Sequence, residues 1–416
     1  MTARQIGAAG LLVAAVPFFA GAASSEQLPV AKEVEPFAAS APARLQAEPI
    51  QLELVVSIGG STEDPDQVLH WVSTQGGLAV TPDGALFVLD IGRKTVHSFS
   101  PDGQLLRRFG EGGEGPGDLK SPTAISMLGH DIVVVDSRPL RLHRWRPNGK
   151  FVSSTTLETE WTATDRVLRL SETLDGNLLA HMSYVPRTPD DPRATTPAHG
   201  QRLVVFAPSG EQIAEIRRDE RHVPLTLFKP ARPDGNVIRG RALRRSFLGF
   251  AIPRWEVSES GRVCGSVDES YEVICIDAQG QHELTLVAQD WQAPAVTPAE
   301  RDEEAAFLRD ADTEAFLEAD LPWPTHHEAL SRNVLPVVFD SAGRIYVFPT
   351  VGPDAAAVPV DVYSPAGELL YSGTVEGAVG EVGGWIASQG EYVYSVTREP
   401  NLGEYQVVKY RLKLPY

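Results

Sequence analysis

The stretch Ala85-Leu-Phe-Val-Leu-Asp90, followed by Thr95-Val-His-Ser-Phe-Ser100, Pro101-Asp102-Gly103 and Gln104-Leu-Leu-Arg-Arg-Phe109, decides the architecture. The same grammar returns at Asp131-Ile-Val-Val-Val-Asp136, Leu142-His-Arg-Trp145, Pro147-Asn148-Gly149 and Lys150-Phe-Val152. Short β-branched and aromatic runs bounded by tight Gly turns are the mark of antiparallel strands, and no helical period interrupts them.

Working outward, the closing turn of this unit recurs at Pro208-Ser209-Gly210, Ala278-Gln279-Gly280 and Pro365-Ala366-Gly367. Pro pre-sets a negative φ, and Gly supplies the positive φ that closes such a turn. An earlier turn recurs at Pro82-Asp83-Gly84, Asp175-Gly176, Ser260-Gly261, Ala342-Gly343 and Gln389-Gly390. Each unit therefore has four strands and two tight turns. Units of that kind, repeated radially, make an all-β propeller. Six blades of four antiparallel strands are expected. The last unit runs out after Tyr405–Leu412 without an outer strand, while Gln51–Ile58 is an orphan strand ahead of the first blade. Placing that N-terminal strand as the outer strand of the last blade closes the ring and removes an exposed edge.

The segment Phe109-Gly-Glu-Gly-Gly-Glu-Gly-Pro-Gly-Asp-Leu-Lys-Ser-Pro-Thr-Ala-Ile125, leading to Asp136-Ser137, resembles the NHL-repeat type of six-bladed propeller of secreted bacterial proteins. That family links its blades by a Gly-rich stretch, a Pro, an apolar strand and a strand ending in Asp. The resemblance implies the fold and says little about function.

The 416 residues then divide into three parts. Residues 1–23 read as a signal peptide, with Arg4 ahead of the apolar run Ile6–Ala20 and small residues after it. Residues 24–50 are an Ala/Pro-rich tether, and 51–416 are the propeller. A helical insertion is expected at about 297–320, opened by the capping box Thr297-Pro298-Ala299-Glu300. The expected location is periplasmic or secreted, with no integral membrane span after signal cleavage, as a monomer. A net charge of -18 excludes nucleic acid as a partner.

Loop lengths sort by face. The tight turns share one face, whereas Tyr184–Gln201, Arg218–Ser246, Trp291–Asn333 and Thr350–Val358 all fall on the other. Insertions gathered on one face mark a binding face. Arg239, Arg241, Arg244 and Arg245 form the one dense basic cluster there, suited to bidentate contacts with a carboxylate, phosphate or acidic sugar. His222 and Arg141 are weaker candidates on the same face. Asp90 and Asp136 end equivalent strands and are expected to cap backbone N–H groups.

Cys264 and Cys275 face each other if Glu269-Ser270 is a two-residue turn, which puts them within disulfide reach. His326-His327 lacks the spacing of a metal pair. No catalytic motif, metal site or cofactor fingerprint occurs. The expected function is therefore recognition of a protein, a glycan or a small anionic ligand through the long-loop face. The alternative is a metal-dependent hydrolase or lyase, lactonase-like, with its site at the central channel.

Overall fold

The structure is a computed structural model. It describes residues 48–60, 66–159, 166–184, 199–221, 226–227, 243–244, 254–258, 260–266, 270–288, 291–303, 325–327, 330, 337–350, 357–376, 385–398 and 404–415. The fold is nearly all-β and propeller-like, built from several four-stranded antiparallel sheets. Among the described residues one short helix, α1 at 298–303, lies outside these sheets.

Strand β1 (Ile50–Gly59) precedes the first sheet, which holds β2 (Leu78–Val80), β3 (Leu86–Asp90), β4 (Thr95–Phe99) and β5 (Leu105–Phe109). The second sheet is β6 (Pro122–Leu128), β7 (Asp131–Ser137), β8 (Leu140–Trp145) and β9 (Phe151–Thr156). The third is β10 (Arg166–Glu172), β11 (Leu178–Tyr184), β12 (His199–Phe206) and β13 (Gln212–Arg221). A two-stranded ribbon, β14 (Thr226–Leu227) with β15 (Leu243–Arg244), separates it from the fourth. That sheet is β16 (Arg254–Val257), β17 (Val263–Ser266), β18 (Glu272–Ile276) and β19 (His282–Val287).

The remaining strands form one eight-stranded sheet. β20 (Val337–Phe339), β21 (Ile345–Val347), β22 (Val358–Tyr363) and β23 (Leu369–Glu376) make one half; β24 (Trp385–Gln389), β25 (Tyr392–Arg398) and β26 (Tyr405–Lys413) belong to the other. β1 lies between them. It pairs antiparallel with β26 from Gln51↔Lys413 to Gly59↔Gln406, and it touches β23 in parallel only at Ile50↔Val375 and Gln51↔Glu376. The orphan strand of the sequence thus supplies the missing edge partner of the last strand.

Alternation along the strands explains how the sheets stack. In β7, Ile132 and Val134 point into one hydrophobic cluster while Val133 and Val135 point into another. In β3, Phe87 and Leu89 face the second sheet, and Leu86 and Val88 face Tyr394 and Val396 of β25. Successive side chains on a strand point to opposite faces, so a continuous apolar run means a sheet covered on both sides. The innermost strands pack in succession: β2 on β6, β6 on β10, β16 on β20, β20 on β24, and β24 back on β2. Between β10 and β16 the link is an ion pair, Arg169 with Glu256.

The tight turns behave as their residues dictate. Gly84, Gly176, Gly261, Gly343 and Gly390 in the first turns all have positive φ, as do Gly103, Gly149, Gly210, Gly280 and Gly367 in the second. The second sheet makes its first turn at Gly129, a position the sequence pattern had not singled out. The capping box forms: the Thr297 and Glu300 amides donate to Glu300 Oε2 at 2.8 Å and Thr297 Oγ1 at 3.2 Å. The rest of the expected helix, from 304 onward, lies outside the described residues.

Candidate functional site

The longest part of the site is built by two buried aspartates. Asp90 ends β3 and is fully buried. Its Oδ2 accepts the His70 amide at 2.9 Å, and its Oδ1 accepts the Trp71 and Arg93 amides at 3.2 and 3.0 Å. Asp136 does the same for the second sheet, accepting the Lys120 and Ser121 amides at 2.5 and 2.6 Å. The expected capping role holds, but most of the captured amides belong to the link that enters the sheet rather than to the aspartate's own turn. A charge-assisted acceptor of two or three N–H groups makes that link rigid. It therefore fixes where Trp71 and Lys120 stand.

Those links, with the connections between second and third strands, line a cavity of about 570 Å³ at one end of the sheets. Trp71 and Tyr405 supply aromatic surface, and Lys94, Lys120, Arg138 and Arg166 supply charge. Among the described residues no Asp or Glu lines it, in a chain whose net charge is -18. Lys120 is ion-paired with Glu114, outside the lining; Lys94 and Arg166 make no ion pair among the described residues. Two inner strands bulge on this wall, β6 at Thr123 and β10 at Leu168, where the register shifts. Bulges re-aim side chains beside binding sites. Thr123 Oγ1 is buried there without a hydrogen-bond partner.

A second cavity, about 390 Å³, lies among β2, β6, β10, β16 and β24 toward the tight-turn end. Arg169 is on its wall. Its Nη1 donates to the Gln75 carbonyl at 3.2 Å and its Nη2 pairs with Glu256. Burial pushes the Glu256 carboxyl up to about 7 against the pull of the Arg169 charge, and Glu256 Oε2 has no partner.

His97 and His143 occupy equivalent places in β4 and β8, stacked on Phe99 and Trp145. Burial lowers both, His97 to about 4, so both rings are neutral at pH 7.

Of the residues the sequence singled out, Arg141 is exposed at the start of β8, opposite Asp136 in register, and does not line the cavity. Arg244 is placed only by its backbone, paired with Thr226. His222, Arg239, Arg241 and Arg245 lie outside the described residues. Cys264 and Cys275 are directly opposed on β17 and β18, with Cα atoms 4.1 Å apart and sulfurs at bonding distance. His327 pairs with Glu300 at 3.0 Å and His326 Nδ1 contacts Thr325 Oγ1 at 3.0 Å, so the two rings have different partners. Among the described residues no group of three or more His, Cys, Asp or Glu could hold a metal ion, and no helix is long and apolar enough to cross a membrane. Trp71, Lys94, Arg138 and Arg166 escaped the sequence reading. Their signal was position: Trp71 lies in a link before a first strand, Lys94 and Arg138 in connections between second and third strands, and Arg166 opens the first strand of the third sheet.

No protein-family model matches the sequence, and no curated protein matches it. Solved structures do match along most of the chain. A member of the DUF4221 family from Bacteroides vulgatus is 11% identical, with 88% of this chain and 99% of that one covered and a TM-score of 0.46. A Bacteroides fragilis protein described as exported is 11% identical over 87% and 96%, with a TM-score of 0.44. Virginiamycin B lyase from Staphylococcus aureus is 9% identical over 82% and 98%, with a TM-score of 0.38. These likenesses assign no residue of this chain a role.

Proposed function

We propose that the protein is an exported six-bladed β-propeller that binds an anionic ligand on its long-connection face. In this reading the eight-stranded sheet is two blades, β20–β23 and β24–β26 with β1, touching along a two-residue contact. Residues 1–23 are a signal peptide and 24–50 a tether. The observation that carries the function is the charge of the Trp71 cavity: four cations and, among the described residues, no acid in an acidic chain. Lys94 and Arg166, which make no ion pair among the described residues, raise the local concentration of an anion there and orient it.

The test is thermal unfolding of the full chain against a panel of anionic and neutral small molecules. A ligand that binds only the folded state raises the unfolding temperature by mass action. Anions are expected to stabilise the wild type, and Arg138→Ala with Trp71→Ala to abolish the effect. The alternative reading, a metal-dependent hydrolase or lyase at the central channel, is favoured by one feature: the buried Glu256 carboxyl, pushed up to about 7, paired with Arg169 on the wall of the second cavity. Stoichiometric, tightly held calcium or zinc in the purified protein, with lactone or ester turnover lost in Glu256→Gln, would select it.

A further inference from the structure

We propose that the Trp71 cavity takes an acidic saccharide, its ring face on the indole and its carboxylate against Lys94 or Arg166. This rests on the long-connection face being the binding face and adds the chemical class of the ligand. Three independent features point to it.

The first is the indole. Trp71 is 51% exposed although its backbone is clamped by Asp90 and by the Ile91 amide, which donates to the Trp71 carbonyl at 2.8 Å. A large aromatic held rigid and left half in solvent is a preorganised flat surface, which binds at little entropic cost. The second is Lys94, the one non-glycine residue with positive φ among the described residues, at 58°. A left-handed Lys is strained by roughly 1–2 kcal/mol, and Gly or Asn would hold the turn with less strain. The side chain is thus kept where the backbone argues against it, and it lines the cavity. Strain of this sort gathers at ligand sites.

The third is the rest of the wall. Ser73, Thr74, Ser121 and Ser137 surround the cations, and the bulged Thr123 hydroxyl lacks a partner. A lining that interleaves these hydroxyls and the Lys94 and Arg166 cations with the Trp71 and Tyr405 rings matches a polyhydroxylated ring bearing a carboxylate, whose faces are apolar and whose edges are polar. A fatty acid needs a continuous apolar wall, which the cations and hydroxyls interrupt. The volume, about 570 Å³, falls in the range of small-ligand sites, about 300–1,000 Å³, so the occupant is the end of a short chain.

The experiment titrates the full chain with trigalacturonate, with maltotriose as the neutral partner and citrate as the anion without a sugar ring. Tryptophan fluorescence and calorimetry are the readouts. Trigalacturonate is expected to bind at least tenfold more tightly than either comparator. Trp71→Ala, Lys94→Asn and Arg166→Gln should each weaken it about tenfold or more, Lys94→Asn while raising the unfolding midpoint slightly because Asn relieves the strain of the turn. Equal binding of maltotriose overturns the acidic requirement. Tighter binding of citrate, still lost in the three variants, overturns the saccharide and leaves the binding face standing. No binding of any probe overturns the saccharide assignment. Binding that none of the three variants weakens, but that Arg169→Gln on the wall of the second cavity does, overturns the binding face itself.

Discussion

Replacing Asp90 by Asn changes one buried atom and tests the logic of the site. The carboxylate accepts three backbone amides, His70 on Oδ2 and Trp71 with Arg93 on Oδ1. An Asn can keep its carbonyl oxygen toward Trp71 and Arg93, but its amide then opposes the His70 N–H. A buried donor left without an acceptor costs about 1–3 kcal/mol. The two retained bonds lose their charge assistance, at about 1 kcal/mol each. The expected loss is therefore about 3–5 kcal/mol, and Asp136→Asn should fall in the same range because its oxygens are used the same way. Asp102→Asn, on an exposed turn, should change stability by less than about 0.5 kcal/mol. Equilibrium urea unfolding measures all three, and amide exchange at His70 and Trp71 shows whether the link has loosened. A wild-type midpoint for Asp90→Asn, or unchanged exchange at those two amides, would refute the idea that the aspartate holds the cavity wall.

The Cys264–Cys275 bond should resist alkylation in urea without reductant. A loop of 11 residues predicts that reduction costs about 3 kcal/mol, and two alkylated cysteines in the unreduced protein would reject the bond. Gly210→Ala should destabilise strongly, since φ is 93° and a Cβ would overlap the Thr156 carbonyl oxygen; Gly176→Ala, with open space around it, should cost only its backbone strain, about 1 kcal/mol. Glu256 binds its proton more tightly folded than unfolded, with a folded value near 7 against 4.5. The folded state therefore holds more protons between those values, and wild-type stability should fall relative to Glu256→Gln as pH rises from about 4.5 to 7, then level off. A difference curve flat across that window would show that Glu256 titrates normally.

The strands, both families of turns and the partner of the first strand were legible because they follow from local rules. Gly at a fixed offset after Pro or Asp needs only the turn itself to be understood. The register of Cys264 with Cys275 followed from counting across a presumed turn. The cavity was not legible in the same way. Its side chains come from three sheets and the start of β26, separated by up to about 330 positions, and no local spacing links Trp71 to Arg166 or Tyr405. The sequence did indicate the face, because insertion length is a local property. The Arg239–Arg245 cluster drew notice for density, whereas Lys94, Arg138 and Arg166 are single cations in unremarkable contexts. The Arg169–Glu256 pair was equally hidden, since each partner lies in its own first strand.

The pairing of β1 with β26 also sets a timetable. Among the described strands the first in the chain has its partner in the last, Gln51 with Lys413. At about 5–20 residues per second, the intervening chain takes roughly 20–70 s to synthesise. For that interval the first sheet has neighbours on only one side, and β1 keeps an unpaired edge. Sheets can form one after another, but the β1–β26 seam can close only once both strands are made, so loss of either should leave the other with an open edge rather than shorten the sheet by one strand.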